Sequence, residues 1–453
     1  MVIYKAFLSA AILFLTLSYG IIAGMLQLFP AETYKQAVLA GAELWSDARL
    51  KMKTGTRSHP HISIVKQAIS EPLTVNDSTR AYGGYTLVEF FRRGAFGIGL
   101  IDSQGSLVHE WRVPQEVYAE VAKSQRALHP GHYEIMGSHL YPDGSVIFTL
   151  TNYGLVKLDR CSSLLWYRPI RAHHDVTLAD DGTIWTLNFR IASEASGVPP
   201  RMRIPMERNT VVQLSPQGEV LKEFDILDGL LRAGYHGLVL DGPAGHPRSN
   251  VVDPVHANDI EIVDHGFAAQ HPFADPGDLL LSLRTIDSLV LFDPRAEQAK
   301  WVMTGPFLRQ HDPDLLPDGS ISVFDNRTAK AQHNEAVHLT ARQLFGFSRI
   351  IRIDPASQRI VWEYSGTEEA PFYTSVQGDH QTLPNGNVLA VETEAGRLFE
   401  IDPADNRIVW EWFNLLETRE RESLTGRITR ARRIGPDYPE FVGRACAPGA
   451  ADS

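Results

Sequence analysis

The pattern of apolar and polar positions changes three times along this chain. Residues 7–29 ("FLSAAILFLTLSYGIIAGMLQLF") carry no charge and are long enough to cross a bilayer as a helix. Lys5 precedes the run and Pro30 closes it, and no Ala-x-Ala cleavage site follows, so it reads as an uncleaved anchor with the rest of the chain outside. Residues 31–53, rich in Ala, Leu, Glu and Lys without proline, predict a juxtamembrane helix, and residues 54–80 an extended linker. From residue 83 onward short β-rich runs alternate with turn residues.

Two frames alternate in that region. One is a strand, an Asp-led turn and a strand ending in Trp, as in "IIRIDPASQRIVWEYSG" (350–366) and "LFEIDPADNRIVWEWFN" (398–414), with looser copies from residues 97, 155, 211 and 289. Asp354 and Trp362, Asp402 and Trp410, and Asp293 and Trp301 are each eight residues apart; Asp102 and Trp111 are nine apart, Asp159 and Trp166 seven. Five of the eight tryptophans therefore stand at equivalent positions, which packing between adjacent sheets would demand. Six copies of one unit are the signature of a radial repeat of small antiparallel sheets. The expected fold is all-β: a six-bladed β-propeller over residues 83–414. A membrane anchor (1–30) and a helix with linker (31–82) precede it, and a charged C-terminal segment with a flexible tail (415–453) follows. A pair of β-sandwiches would not predict one shared strand-turn-Trp unit.

The second frame is a tight hairpin preceded by histidine: "HHDVTLADDGT" from His173, "HDPDLLPDGS" from His311 and "GDHQTLPNGN" from Gly378. His174 to Gly182 and His311 to Gly319 are eight residues each, and His380 to Gly386 is six. Even offsets put the three imidazoles on one face of their strands, whereas His139, five residues before Gly144, falls on the other. His256, in "DPVHANDIEIVD", leads a strand without such a glycine, and Arg327 ends the strand after His311. Imidazoles from several blades converging on one axis with a guanidinium make an anion site with a candidate nucleophile or base.

Net charge of −11, from 43 basic and 54 acidic residues without a basic cluster, argues against nucleic acid as the partner. No Walker-type loop is present. The two cysteines, Cys161 and Cys446, form no C-x-x-C metal motif; in an exported protein they could pair, but with Cys446 in a small-residue tail the plainer reading is two unpaired thiols.

The ordered succession of "GYTLVEF", "IDSQGSLVHEW", "HHDVTLADDG", "HANDIEI", "QHDPDLLPDG", "FDNR", "DHQTLPNGN" and "IDPADNRIVWEW" resembles the PAPS-independent arylsulfotransferases, six-bladed propeller enzymes. The resemblance covers about residues 83–414. It implies ping-pong transfer of a sulfuryl group from an aryl sulfate to a phenol through a sulfohistidine, without cofactor or metal. By resemblance His380 is the sulfated histidine, His256, His311 and Arg327 are its catalytic partners, and His174, Asn258 and Asp312 line the substrate site. Sulfuryl transfer, like phosphoryl transfer, needs positioning and cationic stabilisation, which a neutral imidazole beside a fixed guanidinium supplies. Two other readings are an exported propeller binding a protein or glycan, and a metal-dependent lactonase-like hydrolase, for which Asn258 and Asp312 would be ligands.

Overall fold

The computed structural model describes residues 59–124, 128–194, 198–199, 202–240, 251–328, 345–436, 441–444 and 446. The expected anchor and juxtamembrane helix lie outside these residues; among the described residues no helix is long and apolar enough to cross a membrane. The chain divides into Met1–Pro60 and His61–Ser453, and the second unit holds the sheets.

Six sheets of the second unit form a ring of blades. Blade 2 runs outward through Ile135–Leu140, Val146–Leu150, Gly154–Leu158 and Leu164–Arg168. Blades 3 (from His173–Leu178), 4 (from Ala257–Ile262) and 5 (from His311–Leu315) repeat the same four-stranded order. Blade 6 starts at Asp379–Thr382, and Leu73–Asn76 is added outside its fourth strand, Arg407–Phe413. Each first strand touches the first strand of the next blade, and the sixth returns to the first. This closed ring of antiparallel sheets is a β-propeller.

Closure uses the far end of the chain. Blade 1 takes its first strand from Ile428–Ile434, which pairs with Tyr85–Arg92; Ala95–Ile101 and Leu107–Arg112 complete the sheet. The propeller therefore extends past the expected boundary at residue 414. Within the expected linker, Ile62–Val65 pairs with Ser423–Gly426, which pairs in turn with Leu415–Thr418, so both flanks of the repeat are woven into sheets. A ladder that would otherwise end in open edges gains its hydrogen bonds this way.

Apolar packing follows the ring. Six clusters of buried side chains fill the six gaps between neighbouring blades. The repeated tryptophans lie there as expected. Trp111 of blade 1 donates its indole N–H to Gly144 O of the next blade at 3.0 Å, and Trp410 of blade 6 to Ser103 O of blade 1 at 3.0 Å. Both are almost fully buried, so each supplies apolar area while its one polar atom stays satisfied. Gly137 (φ +67°) allows close approach of first strands, since a Cβ there would stand 2.5 Å from Asp175 Cα.

Cys161, in the turn before the outer strand of blade 2, is bonded to Cys446 across 285 residues of chain. The reading of two unpaired thiols is thus corrected: the tail folds back, and Phe441 packs into the cluster between blades 1 and 2.

Candidate active site

The first strands of blades 3, 4 and 5 begin at one end of the ring, and the second strands of their neighbours finish there. Between them lies a cavity of about 410 Å³ lined by His173, His174, His256, His311, Arg284 and Glu207, with Asp253, Phe189, Met136 and Gln377 among the rest of its wall. The ladders are irregular at this point: register shifts occur between His173 and Val176, Ala257 and Asp259, and His311 and Asp314. His174, His256 and Asp312 have positive φ within or beside these breaks, a local distortion that turns side chains out of the pleat.

The hydrogen bonds fix two tautomers. Asn326 donates its amide to Thr374 O (3.0 Å) and Gln377 O (2.7 Å), so its Oδ1 faces His311 Nδ1 at 2.7 Å as an acceptor. His311 therefore carries its proton on Nδ1 and keeps a lone pair on Nε2. His256 donates Nδ1–H to Asp253 Oδ2, whose partner oxygen accepts the His256 backbone N–H at 2.9 Å. The rings of His174 and His256 meet edge to face at 5.1 Å, and His174 shares Nδ1 with His173 Nδ1 at 2.7 Å.

Arg284 supplies the cation. Its guanidinium has no hydrogen-bond or ion-pair partner among the described residues, and its Nε is buried without one. Burial lowers its pKa to about 10, leaving it charged at neutral pH. Burial, and then the Arg284 charge, push His311 down to about 3. Burial holds His173 at about 4 and His174 well below its ordinary value. His256 is lowered by burial and Arg284, against the pull of Asp253. The imidazoles are thus neutral at pH 7, as a nucleophile must be.

His380 and Arg327 do not line this cavity. His380 is fully buried: its Nδ1–H and backbone N–H both donate to Asp312 Oδ2 (2.8 and 2.5 Å), and its Nε2 accepts the Ser322 hydroxyl at 2.7 Å. Both ring nitrogens are occupied. The ladder of blade 6 runs without a register shift from Asp379 to Thr382, unlike those of blades 3 to 5. Counting parity from the hairpin glycine assumes an unbroken strand, which blade 6 has and blades 3 to 5 lack. Arg327 has its Nε 3.7 Å from Asp325 Oδ2. Arg284 occupies the matching place one blade earlier, just after the second strand Leu279–Leu283. The rule that singled out Arg327 applies equally to "LLLSLR"; His256, leading that blade, was the available signal.

Asn258 and Asp312 line a smaller space of about 30 Å³ beneath the cavity, which His174 and His311 also border. There the Asp that follows each leading histidine, or precedes it in blade 6, turns to the axis. Arg430 of the closing strand reaches Asp175, Asp379 (3.2 Å), Asp312 (3.4 Å) and Asp259 (3.7 Å), and Arg432 reaches Asp312 at 3.0 Å. Burial opposes ionisation of Asp312, but Arg432 and His380 outweigh it and hold its pKa well below the carboxylate range. Asp259 and Asp379 are pushed up by burial and by neighbouring carboxylates. Asp312, Asp314 and His380, and likewise Asp175, Asp259 and Glu261, bring possible metal-ligand atoms within 4.8 Å of one another. In both groups the facing cations are guanidinium groups of the closing strand.

A family model described as arylsulfotransferase (ASST) matches residues 138–414, over half of the chain. The chain belongs to the arylsulfotransferase family. Membership supports aryl sulfotransferase activity in general, with aryl sulfate and phenol as fitting substrates. No curated protein matches the sequence. Among solved structures, a protein of unknown function from Bacteroides caccae is 14% identical, with TM-score 0.47 over 77% of this chain and 98% of that chain. A streptogramin B lyase is 14% identical (TM-score 0.40, 83% and 100% covered), and virginiamycin B lyase from Staphylococcus aureus 12% identical (TM-score 0.41, 80% and 98% covered).

Proposed function

We propose that this arylsulfotransferase moves a sulfuryl group from an aryl sulfate to a phenol in two steps through a sulfohistidine, and that the nucleophile is His311. The unpartnered guanidinium of Arg284 beside neutral imidazoles is the observation that carries the reading. A planar guanidinium binds two oxygens of a sulfate at once and stabilises the charge spread over them as sulfur passes between acceptors. His311 Nε2 offers a free lone pair because Asn326 holds the proton on Nδ1. Phe189 and Met136 give the aryl group an apolar wall. His380 suits the nucleophile's part less well, since its Nε2 lone pair already accepts from Ser322.

His256 is oriented by Asp253 and His174 by His173, so both support the geometry of the sulfuryl seat. A disulfide forms in oxidising compartments, and with the uncharged run at residues 7–29 it supports a propeller held outside the cytoplasm by a membrane anchor.

The test is intact mass of the full chain after a brief pulse of 4-nitrophenyl sulfate without acceptor. One added sulfuryl mass is expected on the wild type and on His380→Asn, discharged by phenol, and none on His311→Asn. Mass on the wild type and His311→Asn but not His380→Asn would return the nucleophile to blade 6. No added mass and no phenolate from a panel of aryl sulfates would overturn the reading.

A further inference from the structure

Sulfuryl transfer between phenols needs a group that gives a proton to the departing oxygen and takes one from the incoming hydroxyl, and the hydrogen bonds of the cavity disqualify most of its wall. His311 and His256 have their Nδ1 protons committed to Asn326 and Asp253, so each presents a lone pair rather than a proton. Asp253 already accepts the ring and backbone N–H of His256 and the Asn209 amide. Glu134 is engaged by Arg427 (3.2 Å), His61 (3.3 Å) and the Gln377 amide (3.2 Å). Arg284 does not release its proton at neutral pH. His173 and His174 are too weakly basic to collect one.

Glu207 remains. It lies near the start of Met206–Leu214, the third strand of blade 3, where its backbone N–H donates to Val252 O at 2.7 Å and fixes the residue against the segment that delivers Asp253 and His256. Glu207 lines the cavity, and its carboxyl has no side-chain hydrogen bond or ion pair among the described residues.

Resting on the sulfotransferase reading above, we infer that Glu207 is the general acid and base of both half-reactions. In the first, the His311 Nε2 lone pair attacks sulfur, the bond from sulfur to the aryl oxygen breaks, and the neutral Glu207 carboxyl protonates that oxygen. The products are a phenol, a Glu207 carboxylate and a His311 ring bearing the sulfuryl group on Nε2 and a proton on Nδ1. In the second, the Glu207 carboxylate takes the acceptor phenol's proton as its oxygen attacks sulfur, the bond from sulfur to nitrogen breaks, and neutral His311 and a neutral carboxyl return. Burial and the neighbouring Asp253 raise the Glu207 pKa to about 7, so both forms are populated at neutral pH.

The experiment compares wild type and Glu207→Gln on aryl sulfates of graded leaving ability, measuring phenol release in a single turnover of the full chain. A 4-nitrophenolate departs without a proton, whereas phenolate and 4-methoxyphenolate need one. Glu207→Gln is expected to lose about 100-fold or more on phenyl sulfate and less than about 5-fold on 4-nitrophenyl sulfate, within the usual range of general acid catalysis. The wild-type rate on phenyl sulfate should fall above pH about 7, and this limb should vanish in the variant. Equal losses on all donors, or a wild-type rate flat across pH 6 to 8, would overturn the assignment, and the wild-type measurement stands even where the variant does not fold. Failure of the sulfotransferase reading itself is distinguishable: the wild type would then release no phenol from any donor.

Discussion

At the cavity, imidazoles and a guanidinium face open space with hydrogen-bonding capacity to spare, whereas one to three residues further along the same strands carboxylates and guanidiniums bind one another. His174, His256 and His311 belong to the first region, and Asp175, Asp259 and Asp312 to the second. A histidine followed one or three residues later by an aspartate serves both. The distorted start of the strand sends the imidazole up to the cavity and the carboxylate in to the axis. Arg284 and Arg430 make the contrast sharpest. Among the described residues the first has no partner and the second has four, so the first is available to a ligand and the second to the fold.

Substitutions should separate the two regions. The largest effect is expected for Arg284→Met, which should lower turnover of aryl sulfates about 10³-fold, as loss of a principal transition-state donor does, with thermal unfolding little changed. Arg430→Met should do the reverse. It leaves Asp175, Asp259, Asp312 and Asp379 buried without their shared cation and costs about 3–5 kcal/mol of stability, read by urea unfolding. His380→Gln removes the link between Asp312 and Ser322 and should cost about 1–3 kcal/mol while the chain still takes up the sulfuryl mass. If it instead behaved like Arg284→Met, the division between cavity and axis would fail at that residue.

The smallest effect is a pH slope. His311 binds its proton near pH 3 folded and near 6.5 unfolded, so below about 6.5 the unfolded state holds more protons and stability falls with falling pH. Relative to His311→Asn, the wild type should lose up to about 1 kcal/mol per pH unit between pH 6 and 4 in urea unfolding. Axial Glu261, raised to about 8 by burial and then by Asp314, works in the opposite sense: folded it keeps a proton that the unfolded chain has released, so stability falls as pH rises from about 4.5 to 8.

Repetition was legible in the sequence and closure was not. The spacing of Asp and Trp gives five of the inter-blade tryptophans, and the histidine hairpins give three of the first strands. "ITRARRI" (428–434) has neither device, although its alternation and three arginines were open to view. Its register with Tyr85–Arg92 depends on residues more than 300 positions away, which no local pattern reports. The same limit hid Glu207 on the third strand of its blade, brought to the cavity by a nine-residue strand. His174, His256 and His311 lead strands, and that made their shared place at the cavity legible. His380 lies apart from that cavity, in a blade whose first ladder lacks the irregularity of the other three.

The closing strand also sets an order on synthesis. The proposed nucleophile, sulfuryl seat and proton donor all leave the ribosome more than a hundred residues before Arg430 and Arg432. Until then the axial aspartates have no counter-charge and blade 1 lacks its innermost strand. A chain that stops short of residue 428 would carry every proposed catalytic group and still lack a shared axis to hold them. Completion of the polypeptide, and not the appearance of its active residues, is what licenses this enzyme to exist as a ring.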